Sequence, residues 1–113
     1  MIYEIIFHVG PEIKLKTKGK SGTLIWLEDS VIISESPTQT YKLPFSSILS
    51  VDMFWLHGLG RFIKLICVDK SIIFLTVSRL NIAGYFVVIN SLKVSELYRR
   101  LKNQISNNIH SSL

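Results

Sequence analysis

One cysteine, Cys67, stands in 113 residues, so the chain cannot close a disulfide on itself, and nothing in it asks for an oxidising compartment. Three prolines and six glycines are too few for a collagenous or low-complexity chain. Long apolar runs are missing as well. The longest stretch free of Asp, Glu, Lys and Arg covers residues 80–92, thirteen positions, short of the roughly 20 that a bilayer-spanning helix needs. Glu4 interrupts the apolar start and no small-residue cleavage site follows, so no secretory leader is expected. His8, His57 and His110 form no pair at metal-ligand spacing. The eight acids are scattered, and their one adjacent pair, Glu28-Asp29, sits where a turn is expected. Acid–base chemistry needs two positioned groups with shifted pKa values, and no spacing here supplies them. Gly58-Leu59-Gly60 lacks the third glycine and the strand-to-helix setting of a dinucleotide fingerprint. A non-catalytic domain with no metal, no cofactor and no small-molecule substrate is the expectation.

What is present is a strong strand signal. Apolar residues make up 48% of the chain and charged ones 19%, which excludes intrinsic disorder, and the length allows one domain, over residues 1–106. In Ile2–Val9 the odd positions Tyr3, Ile5, Phe7 and Val9 are apolar, so one face of a strand can be buried. Residues 12–18 alternate strictly, with Ile13, Leu15 and Thr17 on one side and Lys14, Lys16 and Lys18 on the other. Gly19-Lys20-Ser21-Gly22 reads as a turn. Strands are expected at 23–27, 31–34, 41–43, 48–56, 61–68 and 72–78, with connections short enough to favour antiparallel neighbours. Pro44-Phe45-Ser46-Ser47 suits a turn or a single helical turn, and the pattern slips between Ile48 and Val51, as a bulge would make it. Residues 85–89 have strand composition, although so short a run also fits a buried helix; a short strand is the favoured reading.

A helix closes the chain. From 91 to 106, Val94, Leu97, Tyr98, Leu101 and Ile105 fall within an arc of about 100°, opposite a charged face. Residues 107–113 are polar and read as a frayed tail. The strands must curl into a sandwich or barrel, and the helix must lay its apolar stripe against an open end. Burying five such side chains contributes about 1.5–3 kcal/mol each before entropy.

Some of these segments have a familiar order. Gly22-Thr23-Leu24-Ile25-Trp26, followed by Asp29-Ser30-Val31-Ile32-Ile33, resembles the paired strands of bacterial PH-like and GRAM-like domains. Leu43-Pro44-Phe45-Ser46-Ser47-Ile48-Leu49-Ser50-Val51 is similar to the segment that follows them there, and Glu96-Leu97 with Leu101 completes the order in a closing helix. The resemblance covers about residues 12–105 and leaves the strand at 1–9 as an extra. It implies a mainly β fold, a curved antiparallel β-sandwich or barrel of the pleckstrin-homology type, with one corner capped by the C-terminal amphipathic helix. Members of that superfold mostly bind peptides, partner domains or anionic lipids, and are rarely catalytic.

The charge is uneven. Thirteen basic and eight acidic residues leave +5; residues 1–50 hold five of each sign, and residues 51–113 hold eight basic and three acidic. Such an excess attracts nucleic acid, anionic membrane or acidic proteins alike. Lys14, Lys16, Lys18 and Lys20 would share one strand face, about 6.6 Å apart. Near an anionic leaflet they are worth at most about 4 kcal/mol together, an affinity near millimolar. Phosphoinositide-binding PH domains continue their basic residues into the next strand, whereas Thr23-Leu24-Ile25-Trp26-Leu27 has none. A lysine row on an edge strand also blocks edge-to-edge aggregation. Arg99, Arg100 and Lys102 complement the helix dipole, and Arg61, Lys64 and Lys70 join them in a patch only if their sheet faces agree. The hairpin around 54–62 is unusually aromatic, and Phe54, Trp55, Leu59 and Phe62 are the candidate partner-binding patch.

The reading is therefore a cytoplasmic binding module that contacts a protein partner or a second copy of itself. The alternative is peripheral contact with an anionic membrane through the basic strand. Nucleic acid is the less favoured ligand, because the lysine row carries no interleaved aromatics.

Overall fold

In the computed structural model of the chain the described residues are 2–11, 20–36, 38–56, 60–77 and 86–111, with helix side chains described over 92–106. Seven strands and one long helix are found among them: β1 (Ile2–Val9), β2 (Lys20–Trp26), β3 (Ser30–Ser36), β4 (Gln39–Pro44), β5 (Ile48–Leu56), β6 (Gly60–Cys67), β7 (Ile72–Val77) and α1 (Phe86–Ser111). All strand pairs are antiparallel. They form one sheet in the order β4-β3-β2-β1-β7-β6-β5, curled into a half-barrel over which the helix closes. The mainly β architecture with a closing helix is as expected from the sequence.

The strand read as an extra at residues 1–9 is the sheet's middle member. β1 holds β2 on one side, with Tyr3 opposite Leu24, and β7 on the other, with Phe7 opposite Leu75. Its alternation explains this place: Tyr3, Ile5 and Phe7 are buried in the core, while Ile2, Glu4 and Ile6 point outward. β2 begins at Lys20 rather than at Thr23, so the expected turn at 19–22 is largely strand. Pairing with β1 overrides the turn-forming tendency of Ser21 and Gly22, which lie opposite Ile6 and Ile5. Gly22 is required there by space, since a Cβ would come within 2.5 Å of the Ser34 carbonyl oxygen and 3.0 Å of the Phe7 ring.

The connections follow the sequence more closely. Phe45–Ser47 is a single 3-10 turn after Pro44, held by the Phe45 N–H donating to the Asp29 carbonyl at 3.0 Å and the Ser47 hydroxyl donating to the Pro44 carbonyl at 2.7 Å. The register slips between Ile48 and Ser50, the expected bulge. The strand at 12–18 lies outside the described residues. Phe86-Val87-Val88-Ile89 belongs to α1 and not to a strand, because helix propagation from the amphipathic segment costs little per added residue, whatever the β propensity of the run.

The helix lays Val94, Leu97, Leu101 and Ile105 into the hollow of the half-barrel, with Tyr98 at the rim. The spacing of three, four and four residues keeps them on one stripe. They meet the inward side chains of β5, β6 and β7 and the 3-10 turn, where Phe45 is buried beneath Trp26, ring centroids 5.0 Å apart. Two polar contacts set the seat. The Tyr3 hydroxyl donates to Glu96 Oε1 at 3.3 Å, and the Arg100 guanidinium lies 5.8 Å from the Trp26 ring centroid.

Leu101 is fully enclosed, so Leu101→Ala is expected to cost about 2–5 kcal/mol, read as a lowered urea midpoint. A loss well below this range would mean that the helix is not seated in the sheet. Burial, and next the Glu96 charge, push the Tyr3 phenol above its ordinary value of 10.0, with Arg100 opposing. The folded-state value is the raised one, so this contribution is complete below the ordinary tyrosine pKa and is lost as pH rises through the folded value. Tyr3→Phe should cost about 0.5–1.5 kcal/mol at neutral pH and lessen the alkaline fall in stability. Midpoints that run parallel to wild type across the alkaline range would disconnect Tyr3 from the helix.

Candidate partner-binding edge

An open half-barrel has two ends to its sheet. Among the described residues nothing pairs with the outer side of β4 or of β5, and such free rows of N–H and C=O groups are templates for another strand. The two edges differ in chemistry. β4 (Gln-Thr-Tyr-Lys-Leu-Pro) carries Lys42 and ends on Pro44, both of which discourage pairing. β5 (Ile-Leu-Ser-Val-Asp-Met-Phe-Trp-Leu) has neither lysine nor proline. It carries two of the large exposed apolar side chains, Leu49 at 58% and Trp55 at 59% exposure.

The helix runs alongside this edge. Ser95 reaches the end of β5 and β6: Arg61 Nη1 donates to Ser95 Oγ at 2.7 Å, and Ser95 Oγ donates to Met53 Sδ at 4.0 Å. Two turns further along, Lys102 Nζ donates to the Val51 carbonyl at 3.5 Å and lies 5.9 Å from the Tyr98 ring centroid. Main-chain groups alternate sides along an antiparallel strand, so an edge that offers the Val51 carbonyl to Lys102 also offers Met53 and Trp55. Leu92, 73% exposed, lies one helical turn before Ser95.

The four aromatic-hairpin residues do not form one patch. Trp55 is opposite Arg61 and shares the concave side with Met53 and Ile63, whereas Phe54 and Phe62, opposite one another, are on the convex side. There Phe54 lies 6.0 Å from Phe62 and 5.9 Å from Phe74, and Phe62 is only 7% exposed. Two of the proposed contact residues are thus engaged with each other and with Phe74. Leu59 lies outside the described residues. Residues one apart on a strand take opposite faces, so the sequence cluster was bound to divide.

The basic residues also scatter. Lys14, Lys16 and Lys18 lie outside the described residues, and Lys20 pairs with Glu35 at 3.6 Å. Arg100 and Lys102 turn back onto the sheet instead of standing on the outer face of the helix with Arg99. Arg61 is concave and Lys64 convex, its Nζ 5.9 Å from the Phe74 centroid. Lys70 sits in the β6–β7 turn at φ 72. No shared patch gathers Arg61, Lys64 and Lys70. Sequence reasoning missed Leu49, Leu92 and the pairing of Lys102 with the β5 edge; no local signal in residues 48–56 marks an edge, since the inner strand β7 lacks lysine and proline as well.

Cys67 lies in the core, as its place in the Ile63-Leu65 series implied, and burial pushes its thiol above the ordinary value. Among the described residues no group of three or more His, Cys, Asp or Glu can hold a metal ion, and no helix is long and apolar enough to cross a membrane. No protein-family model matches the chain, and no curated protein does.

The two tryptophans report this geometry separately. Trp26 is half-buried against Phe45 and beneath Arg100, and Trp55 is exposed. Trp55→Phe should leave blue-shifted emission that acrylamide quenches poorly; Trp26→Phe should leave red-shifted, readily quenched emission. The reverse ranking would place Trp55 inside the fold and remove it from the edge.

Proposed function

We propose that the chain is a non-catalytic, PH-like binding module that takes an extended segment of a protein partner as an added strand beside β5. The observation that carries this reading is the contrast between the two edges: β4 is guarded by Lys42 and Pro44, whereas β5 has neither lysine nor proline, holds its one charge, Asp52, on the convex face and its bulge at the Ile48 end, and carries the exposed Trp55. A four-stranded meander and a three-stranded one, joined through β1 and closed by a helix, support the kinship with PH-like and GRAM-like domains. The described member of the lysine row gives its charge to Glu35, so the partner segment is preferred over an anionic membrane. A cytoplasmic setting accords with the single unpaired cysteine.

The magnitudes say how such a site works. Each added main-chain hydrogen bond is worth about 0.5–1.5 kcal/mol net, against an association cost of about 4–15 kcal/mol. A handful of edge bonds does not overcome that cost, so side chains must add to them. The exposed Trp55 ring is the largest apolar surface on the edge available for this. The module should accordingly bind weakly and by sequence preference, with register set by the strand and selectivity by what lies over Trp55.

Short random peptides displayed on phage, selected on the folded domain, test the reading. Selected peptides should shift the backbone amide resonances of Val51, Met53 and Trp55, and N-methylation at alternate peptide nitrogens should abolish binding. Shifts confined to β4 or to the convex face, or indifference to N-methylation, would refute strand addition at β5.

A further inference from the structure

We infer that the segment accepted by β5 is acidic, with one carboxylate held by Lys102; this deepens the strand-addition reading and rests on it. The charges beside that edge point to it. Residues 51–113 carry three acids, and each is placed. Asp69 holds the β6–β7 turn by accepting from the Ser71 N–H at 2.9 Å and from its hydroxyl at 2.6 Å. Glu96 accepts from Tyr3 at 3.3 Å and pairs with Lys93 at 3.4 Å. Asp52 lies opposite Lys64 on the convex face, the far side of β5 from the helix. On the concave side Lys102 contacts the β5 edge itself and Arg61 lies opposite Trp55, and their contacts are with neutral groups: a main-chain carbonyl, the Tyr98 ring and a serine hydroxyl.

Strand addition changes the position of Lys102. Its ammonium already contacts the Val51 carbonyl, the acceptor that an incoming N–H takes over. A long, flexible lysine gives way readily, and its displaced ammonium then stands over the added strand. A carboxylate there restores the lost contact with a charge-assisted bond; a lysine there is repelled. Neutral residues leave the ammonium to water. Lys102 therefore selects among strands that the main chain alone accepts alike.

The test compares peptides selected from the same displayed library on wild type and on Lys102→Glu, with Lys42→Glu on β4 as the control for overall charge. Lys102 and Lys42 are both exposed, and unchanged urea midpoints confirm that the variants fold. Wild type should enrich Asp or Glu at one peptide position, and replacing that residue by Gln should weaken binding about fivefold, the effect of one partly screened ion pair. Lys102→Glu should lose the acidic peptides and prefer Lys or Arg at that position, while Lys42→Glu keeps the wild-type preference. Peptides that shift Val51, Met53 and Trp55 without acidic enrichment would overturn this inference and leave strand addition standing. Peptides that leave Val51, Met53 and Trp55 unshifted, or no selected peptide at all, would overturn both. Loss of binding to phosphatidylserine vesicles on Lys102→Glu, with no peptide preference, would assign the lysine to a lipid surface and also overturn it.

Discussion

The helix stripe seated in the hollow of the half-barrel is the contact on which the rest depends. A single sheet with apolar inner faces on all its strands has no second sheet to cover it, and must bury that surface against something else. Val94, Leu97, Leu101 and Ile105 supply the cover, and Phe45 beneath Trp26 extends it around the corner. Since the cover is a rod and not a sheet, it closes the hollow without pairing the edges. That geometry leaves the outer sides of β4 and β5 unpaired among the described strands, so the way the core is sealed and the availability of a binding edge have one cause.

Polar contacts then set the helix's rotation. Tyr3 from the central strand and Arg100 over Trp26 fix the middle turns, while Arg61 with Ser95 fixes the turn beside the β5–β6 hairpin. Each is worth about 0.5–1.5 kcal/mol in these partly exposed settings, less than the apolar stripe together, so they do not hold the helix on. They decide which residues face the β5 edge. A helix turned by one residue, roughly 100°, would carry Lys102 away from the Val51 carbonyl.

Much of this was legible in the chain, and the failures have physical reasons. Period-two alternation placed Tyr3, Ile5 and Phe7 inward on β1, though Val9, on the same face at the strand's end, is exposed, and the 3.6-residue period placed all five stripe residues of α1. The Pro44-Phe45-Ser46-Ser47 turn and the bulge after Ile48 were legible because both follow from local backbone constraints. Local signals misled where pairing decided the outcome: Ser21 and Gly22 look like turn residues and are strand because β1 lies beside them. Phe86-Val87-Val88-Ile89 looks like a strand and is helix because it continues one. The faces of Arg61 and Lys64 needed the register with β5, which short hairpin signals do not fix to a single residue. Nor does any local pattern tell that Arg100 and Lys102 fold back onto the sheet, since a long basic side chain chooses among partners far away in sequence.

An open edge is also an aggregation liability, and the two edges answer it differently. On β4 the guards are built into the strand as Lys42 and Pro44, which oppose any pairing at all times. On β5 the strand itself carries no such guard, and the positive charge is brought by a side chain from the helix. A charge fixed in the strand repels every strand alike, whereas one on a flexible stem can withdraw or be matched. Two unguarded copies of β5 would each bring a Lys102, and like charges would meet across the added pair. The arrangement therefore disfavours edge-to-edge self-pairing while leaving room for a strand of the opposite charge, which separates a binding edge from a sticky one.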